Sequence, residues 1–250
     1  MKKLFLMIGF VFLLTGCGMY IGEEKSDAFK LLLNQYETYV DHDISEDEHF
    51  FELINRTMID VIPSIVKVEV SIYSNLNILV EKRISSGVIY DHVDDEYFIL
   101  IDQNQMDRLS GQKIEIEVID YMSNRHVATH LFDDLVEPIA ILKVTSRFYH
   151  LEKINFATHT PKIGEPVLLI GNHFNIQNAT SMGLITNYRD DINRMYTSIP
   201  SDSLSHGGAV INSQLELIGL QIDVIDHMSI LLTRDAIVKV ITNYQQSKGE

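Results

Sequence analysis

One cysteine in 250 residues rules out an internal disulfide. The fold must therefore rest on apolar burial, and a chain of this length can bury a sizeable core without covalent staples. Proline and glycine are sparse, at 5 and 13 residues, beside 46% hydrophobic and 22% charged residues. That balance excludes low-complexity, collagen-like and broadly disordered chains. Positive charge is also short. Twenty Lys and Arg face 35 Asp and Glu, for a formal net charge of −15. So acidic a surface offers no broad basic face to nucleic acid or to anionic lipid. The apolar run from Leu4 to Leu14 is too short for an ordinary membrane span.

That short run has a different reading. "MKKLFLMIGFVFLLTGC" places Lys2 and Lys3 before the apolar stretch and small residues after it, the arrangement of a secretion signal. Leu14-Thr15-Gly16-Cys17 resembles the lipobox of bacterial lipoproteins, in which the cysteine is diacylated and becomes the first mature residue. The expectation is a signal peptide over 1–16, lipidation at Cys17 and a polar tether over 17–26. The protein would then sit outside the cytoplasm, lipid-anchored to the bacterial cell membrane, because several acyl chains suffice for stable anchoring. Cleavage would remove Lys2 and Lys3 and leave the mature chain two charges more negative.

From 27 to 59 the apolar residues follow helical spacing. Ser26 or Asp27 precedes Phe29, Leu32, Leu33, Tyr36 and Val40, and Ser45 with Glu48 forms a capping-box pair before Phe51, Ile54 and Met58. His42 and His49 lie among carboxylates in the spacer, without a fixed ligand spacing. Beyond Pro63 the periodicity changes to short Ile/Val-rich stretches separated by turn residues. "SIVKVEVSIY", "RISSGVIYD", "EYFILIDQ", "KIEIEVIDY", "PIAILKV", "EPVLLIGN", "SMGLITNY", "GGAVIN" and "ELIGLQID" all have this form, which predicts an all-β sandwich or barrel. Residues 235–248 return to helical spacing and close the chain.

The order of these strands resembles the trypsin-like serine proteases, in their HtrA-like bacterial branch. The resemblance runs over about residues 60–245 and is strongest in "PKIGEPVLLIGNHFNIQNATSMGLITNYRD" and "TSIPSDSLSHGGAVINSQLELIGLQI". It implies two six-stranded antiparallel β-barrels over 60–250 with a cleft between them, preceded by the helical segment and ended by a helix. It also implies a site in which serine attacks, histidine takes the proton, aspartate orients the histidine and two backbone amides hold the oxyanion.

Each of those positions holds something else. The histidine of the family segment "NNHVV" falls on Asn104, or on Gln105 if the register slips by one, and an amide cannot act as general base. The aspartate of "DLAVLKV" falls on Pro138, with Asp133, Asp134 and Glu137 nearby but off register. The serine of "GNSGGP" falls on His206, and the oxyanion-hole glycine two residues earlier is Leu204. Ser203 and Ser205 flank the nucleophile position, and His92, His173 and His206 are imidazoles in neighbouring segments. A rebuilt pair such as Ser205 with His173 would need hydrogen-bond reach together with an oxyanion hole.

Metal ligation is weak as a reading. His126 and His130 would share one face of a strand about 13 Å apart, too far to share an ion. Gly87, Gly164, Gly171, Gly183, Gly207, Gly208 and Gly219 all stand where the family has glycine. A scaffold kept while its chemistry is replaced points to a catalytically inactive, tethered binding or regulatory module without cofactor or metal. Leu204, Ser205, Gly207 and Gly208 are its candidate binding residues, and an extended peptide or an envelope protein its partner. The alternative is a serine-type endopeptidase with a rearranged active site.

Overall fold

The computed structural model describes residues 56–57, 59–147, 150–173 and 176–248. The leader, Cys17, the tether and nearly all of the 27–59 segment lie outside these residues. Its end is helical at Arg56, Thr57 and Ile59.

Twelve strands form two closed barrels. The first contains β1 (Ile65–Tyr73), β2 (Leu79–Val93), β3 (Glu96–Asp102), β4 (Lys113–Ile119), β5 (Arg125–Asp133) and β6 (Ile139–Thr145), paired in the order β1-β2-β3-β6-β5-β4. The second contains β7 (Pro166–Gly171), β8 (Ala179–Arg189), β9 (Arg194–Pro200), β10 (Ala209–Ile211), β11 (Leu217–Ile225) and β12 (Met228–Thr233), closed as β10-β11-β12-β9-β8-β7. Renumbered from one, the second order is the first, and every named pair is antiparallel.

Some strands are apolar at every position because both of their faces are covered. In β3, Ile99 and Ile101 point into the first barrel beside Val66, Val68, Val70 and Ile72 of β1. Its alternate residues Phe98 and Leu100 point out of that barrel into a second core. β7 does the same, with Val167 and Leu169 inside the second barrel and Leu168 and Ile170 outside it. A strand covered on both faces reads as a continuous apolar run rather than an alternation. That outer core joins the barrels, and each fully buried Ile or Leu in it contributes roughly 1.5–3 kcal/mol.

The same core takes in the C-terminal helix α1 (Arg234–Ser247) through Ala236, Ile237, Val240 and Tyr244. Thr233 caps it, its hydroxyl accepting from Ala236 N, and Asp235 places a negative charge in its first turn. Among the described residues no helix is long and apolar enough to cross a membrane.

Candidate functional site

The site is built where the two barrels meet. β3 ends in Asp102, whose carboxylate Oδ1 accepts from Asn104 N at 3.0 Å and caps a 3-10 turn over Gln103–Met106. Arg83 of β2 clasps this turn from outside, its Nη1 donating to the carbonyls of Asn104 (3.0 Å) and Asp107 (2.8 Å). Gln103 N donates to Pro138 O at 2.9 Å. From the other barrel a second 3-10 turn, Ser203–Ser205, delivers His206. His206 Nδ1 lies 2.8 Å from Oδ2 of Asp102, which is wholly buried. A carboxylate can only accept, so Nδ1 carries the proton. Asp102 thus joins the turn that carries Asn104 to His206, and Gln103 joins the same turn to Pro138. Asn104 is exposed, while Pro138 and His206 are partly buried.

Asp102 is the residue that reading the sequence for a triad missed. It is the lone charge ending the apolar run "YFILID", a position that only a buried partner can satisfy. Its partner is more than a hundred residues away, so sequence gives no direct sign of the pairing.

The loop around His206 is bonded to itself and to β2. Leu204 N donates to Asp202 Oδ1 (3.1 Å) and His206 N to Ser203 O (3.4 Å). In a Ser-His-Asp protease the amides of the nucleophile and of the residue two before it form the oxyanion hole. Here both corresponding amides are spent inside the turn. Ser205, fully buried, donates its hydroxyl to Asp202 O at 2.6 Å. Gly207 N donates to Gln221 O and Gly208 N to Ser205 O, each at 2.7 Å. Ser86 N donates to His206 O at 2.8 Å. Of the four candidate binding residues, Leu204 is partly exposed and the other three are buried.

Gly207 could be nothing else. Its φ is +80°, and a Cβ there would stand 2.2 Å from Ser86 O. Asn172, just after β7, completes the staple between barrels. Its N–H donates to Ser86 Oγ at 2.8 Å and its amide to Ser85 O at 2.9 Å.

The acidic residues near Pro138 are engaged elsewhere. Asp133 pairs with His130 at 2.8 Å. For Asp134, burial alone would raise the carboxyl pKa, but the amides of Glu137, Asn243 and Val136 donate to it and hold it below the usual range. Glu137 receives Arg194 at 2.9 Å and Asn193 at 2.7 Å. Leu135 and Val136 stand exposed on this loop beside a cavity of about 420 Å³ shared with Gln103 and Arg194.

The remaining imidazoles disperse. His92 stacks on Tyr97, 5.2 Å between centroids. His126 and His150 both meet Asp120 Oδ2, at 3.3 and 3.0 Å, and Gln177 reaches the Asp120 carbonyl. Among the described residues no group of three His, Cys, Asp or Glu is arranged to hold a metal. His173 does not meet Ser205. Its Nε2 lies 2.8 Å from Ser181 Oγ instead.

Residues 95–220, half the chain, match the trypsin-like peptidase domain family. The chain belongs to that family. Within it, the chain is 29% identical to an HtrA-like serine protease of Staphylococcus haemolyticus over 162 residues, 58% of this chain and 25% of that protein. The chain therefore spans about a quarter of the length of this relative. The fold is that of the serine endoprotease from Yersinia pestis, at a TM-score of 0.63 and 23% identity over 79% of this chain and 66% of that one. It is likewise that of the HtrA-type protease AlgW with a decapeptide, at 0.62 and 15% identity over 78% and 67%. The double barrel of the trypsin-like peptidases is thus present in full.

Proposed function

We propose that this trypsin-like domain is a non-proteolytic module, held at the outer face of a bacterial membrane through lipidated Cys17, that binds extended peptide segments of envelope proteins. The observation that carries the reading is the closed turn at His206. Two oxyanion amides are consumed internally, and the side chain at the nucleophile position is an imidazole fixed on Asp102. Losing one oxyanion donor alone costs a protease about 10²–10³ in rate.

Peptide capture needs a free strand edge rather than a triad. β10 pairs with β11 only as far as Leu220, and beyond it Asp223–Ile225 pairs with β12 alone among the described strands. Asp223 and Ile225 are exposed there. The edge is held by light local bonds, Val224 N to Asp223 Oδ1 (2.8 Å) and Gln221 Nε2 to Asp223 O (3.1 Å), which an added strand would displace.

The test uses the mature chain and β-casein, an unfolded protein rich in extended segments. The expected result is saturable binding by fluorescence anisotropy with no casein fragments after long incubation. Absence of binding, or fragments produced by a preparation free of other proteases, overturns the reading. The second reading, hydrolysis at a rearranged site, is favoured by one observation, the Ser181–His173 pair.

A further inference from the structure

We propose that Ser181 is an activated serine, its hydroxyl held on His173 Nε2, and that small activated esters acylate it. This goes beyond peptide capture and does not rest on it. The pair uses none of Asn104, Pro138 and His206, and stands on one hairpin of the second barrel.

The geometry is that of a nucleophile and its base. β7 and β8 run antiparallel with Leu169 opposite Ser181. His173 lies two residues past the end of β7, and Ile176 N donates to His173 O at 3.1 Å, turning the chain back toward β8. The imidazole thereby reaches Ser181 Oγ at 2.8 Å, within the range required for proton abstraction. Asn172, bonded to Ser85 and Ser86 of the first barrel, fixes the backbone that carries the ring. Ser181 keeps part of its surface in solvent, whereas His173 is buried. Part of the serine is thus open to a reagent while the base is buried.

Electrostatics agree with this arrangement. Burial lowers the affinity of His173 for a proton below the ordinary imidazole range, which keeps Nε2 able to accept one near neutral pH. The charge of Asp202 acts in the opposite sense and stabilises the imidazolium once it forms.

In the step itself, Ser181 Oγ attacks the ester carbonyl and its proton passes to His173 Nε2. The acyl C–O bond then breaks, and the alcohol leaves with that proton, giving acyl-Ser181 and free alcohol. The reaction is confined to esters whose leaving group is good enough not to need oxyanion donors.

A fluorophosphonate probe tests this on the folded mature chain. Oγ forms the P–O bond, fluoride leaves, and the proton passes through His173. The expected result is a single label mapped to Ser181 by tandem mass spectrometry, absent in Ser181→Ala and after heat denaturation. His173→Gln should slow labelling by about 10²-fold or more. The wild-type labelling rate should also fall with acid through an inflection below the usual imidazole range. This profile needs no variant to fold, and a serine bonded to His173 only for structure would not show it. Label on another serine, no label on folded protein, or a rate flat with pH would overturn the assignment. Casein binding is read separately, so failure here leaves peptide capture standing, and the reverse also holds.

Discussion

His206 of the second barrel and Asp102 of the first are bonded across the seam at 2.8 Å, and the carboxylate is completely buried. The pair clamps the two barrels together. His206→Ser would restore a hydroxyl at the nucleophile position while Asn104 and Pro138 still supply neither base nor orienting acid. The expected outcome is no cleavage of casein. Asp102 would also lose a partner, with a fall in stability of about 1–3 kcal/mol in urea titration. Cleavage by this single variant would show that a base exists in the cleft after all.

Glu69 is buried on the outside of the first barrel among Lys82, Lys67 and Arg125. Burial by itself would raise its pKa, yet hydrogen bonds from those three cations bring it down to about 2. A carboxyl depressed in the folded state stabilises the fold above its unfolded pKa and loses that contribution as pH falls toward the folded one. Stability should therefore drop between about pH 4.5 and 2 by about 2 kcal/mol, a figure discounted because Lys82 and Arg125 are partly in water. In Glu69→Gln, thermal unfolding followed across this window should lose that slope and start from a lower stability at pH 7.

Gly207→Ala forces a Cβ against Ser86 O and demands a left-handed backbone of an alanine. Both penalties fall on the loop that staples the barrels. Expected losses exceed about 3 kcal/mol, read as a large shift of the denaturation midpoint or as insoluble protein. An unchanged midpoint would mean that the loop can relocate freely.

Glu137 and Arg194 link the β5–β6 loop to β9, with the carboxylate buried. Arg194→Ala leaves Glu137 with Asn193 alone and should cost roughly 3 kcal/mol. The double variant Arg194→Met, Glu137→Met should recover most of that loss, because no buried charge is then left unpaired. Urea midpoints of the two variants decide the matter.

The barrels were legible in the sequence because their strands carry runs such as "EYFILID" and "PVLLIG", apolar on both faces. The C-terminal helix was legible for the same reason, in helical spacing. β9 and β12 were harder to see. "RMYTSIP" mixes polar and apolar residues because one of its faces is in solvent, and "MSILLT" follows a turn built from Asp226 and His227 with no glycine or proline to mark it. At the site, the reading that puts Asn104, Pro138 and His206 at the expected triad positions rests on spacing alone. The Asp102–His206 and Ser181–His173 pairs left no such trace, since each depends on how far a loop folds back. The 2.8 Å separations come from backbone hydrogen bonds that leave no residue-type signature.

The core shared by both barrels and α1 includes Val88, Leu100, Ile170, Leu220 and Ile237. If the connection between the barrels were cut, each half would expose this surface to water and could bury it again only against the other. The protein should therefore melt in a single calorimetric transition despite its two barrels. Separately expressed halves should be insoluble alone and soluble together, which makes this chain a natural split reporter.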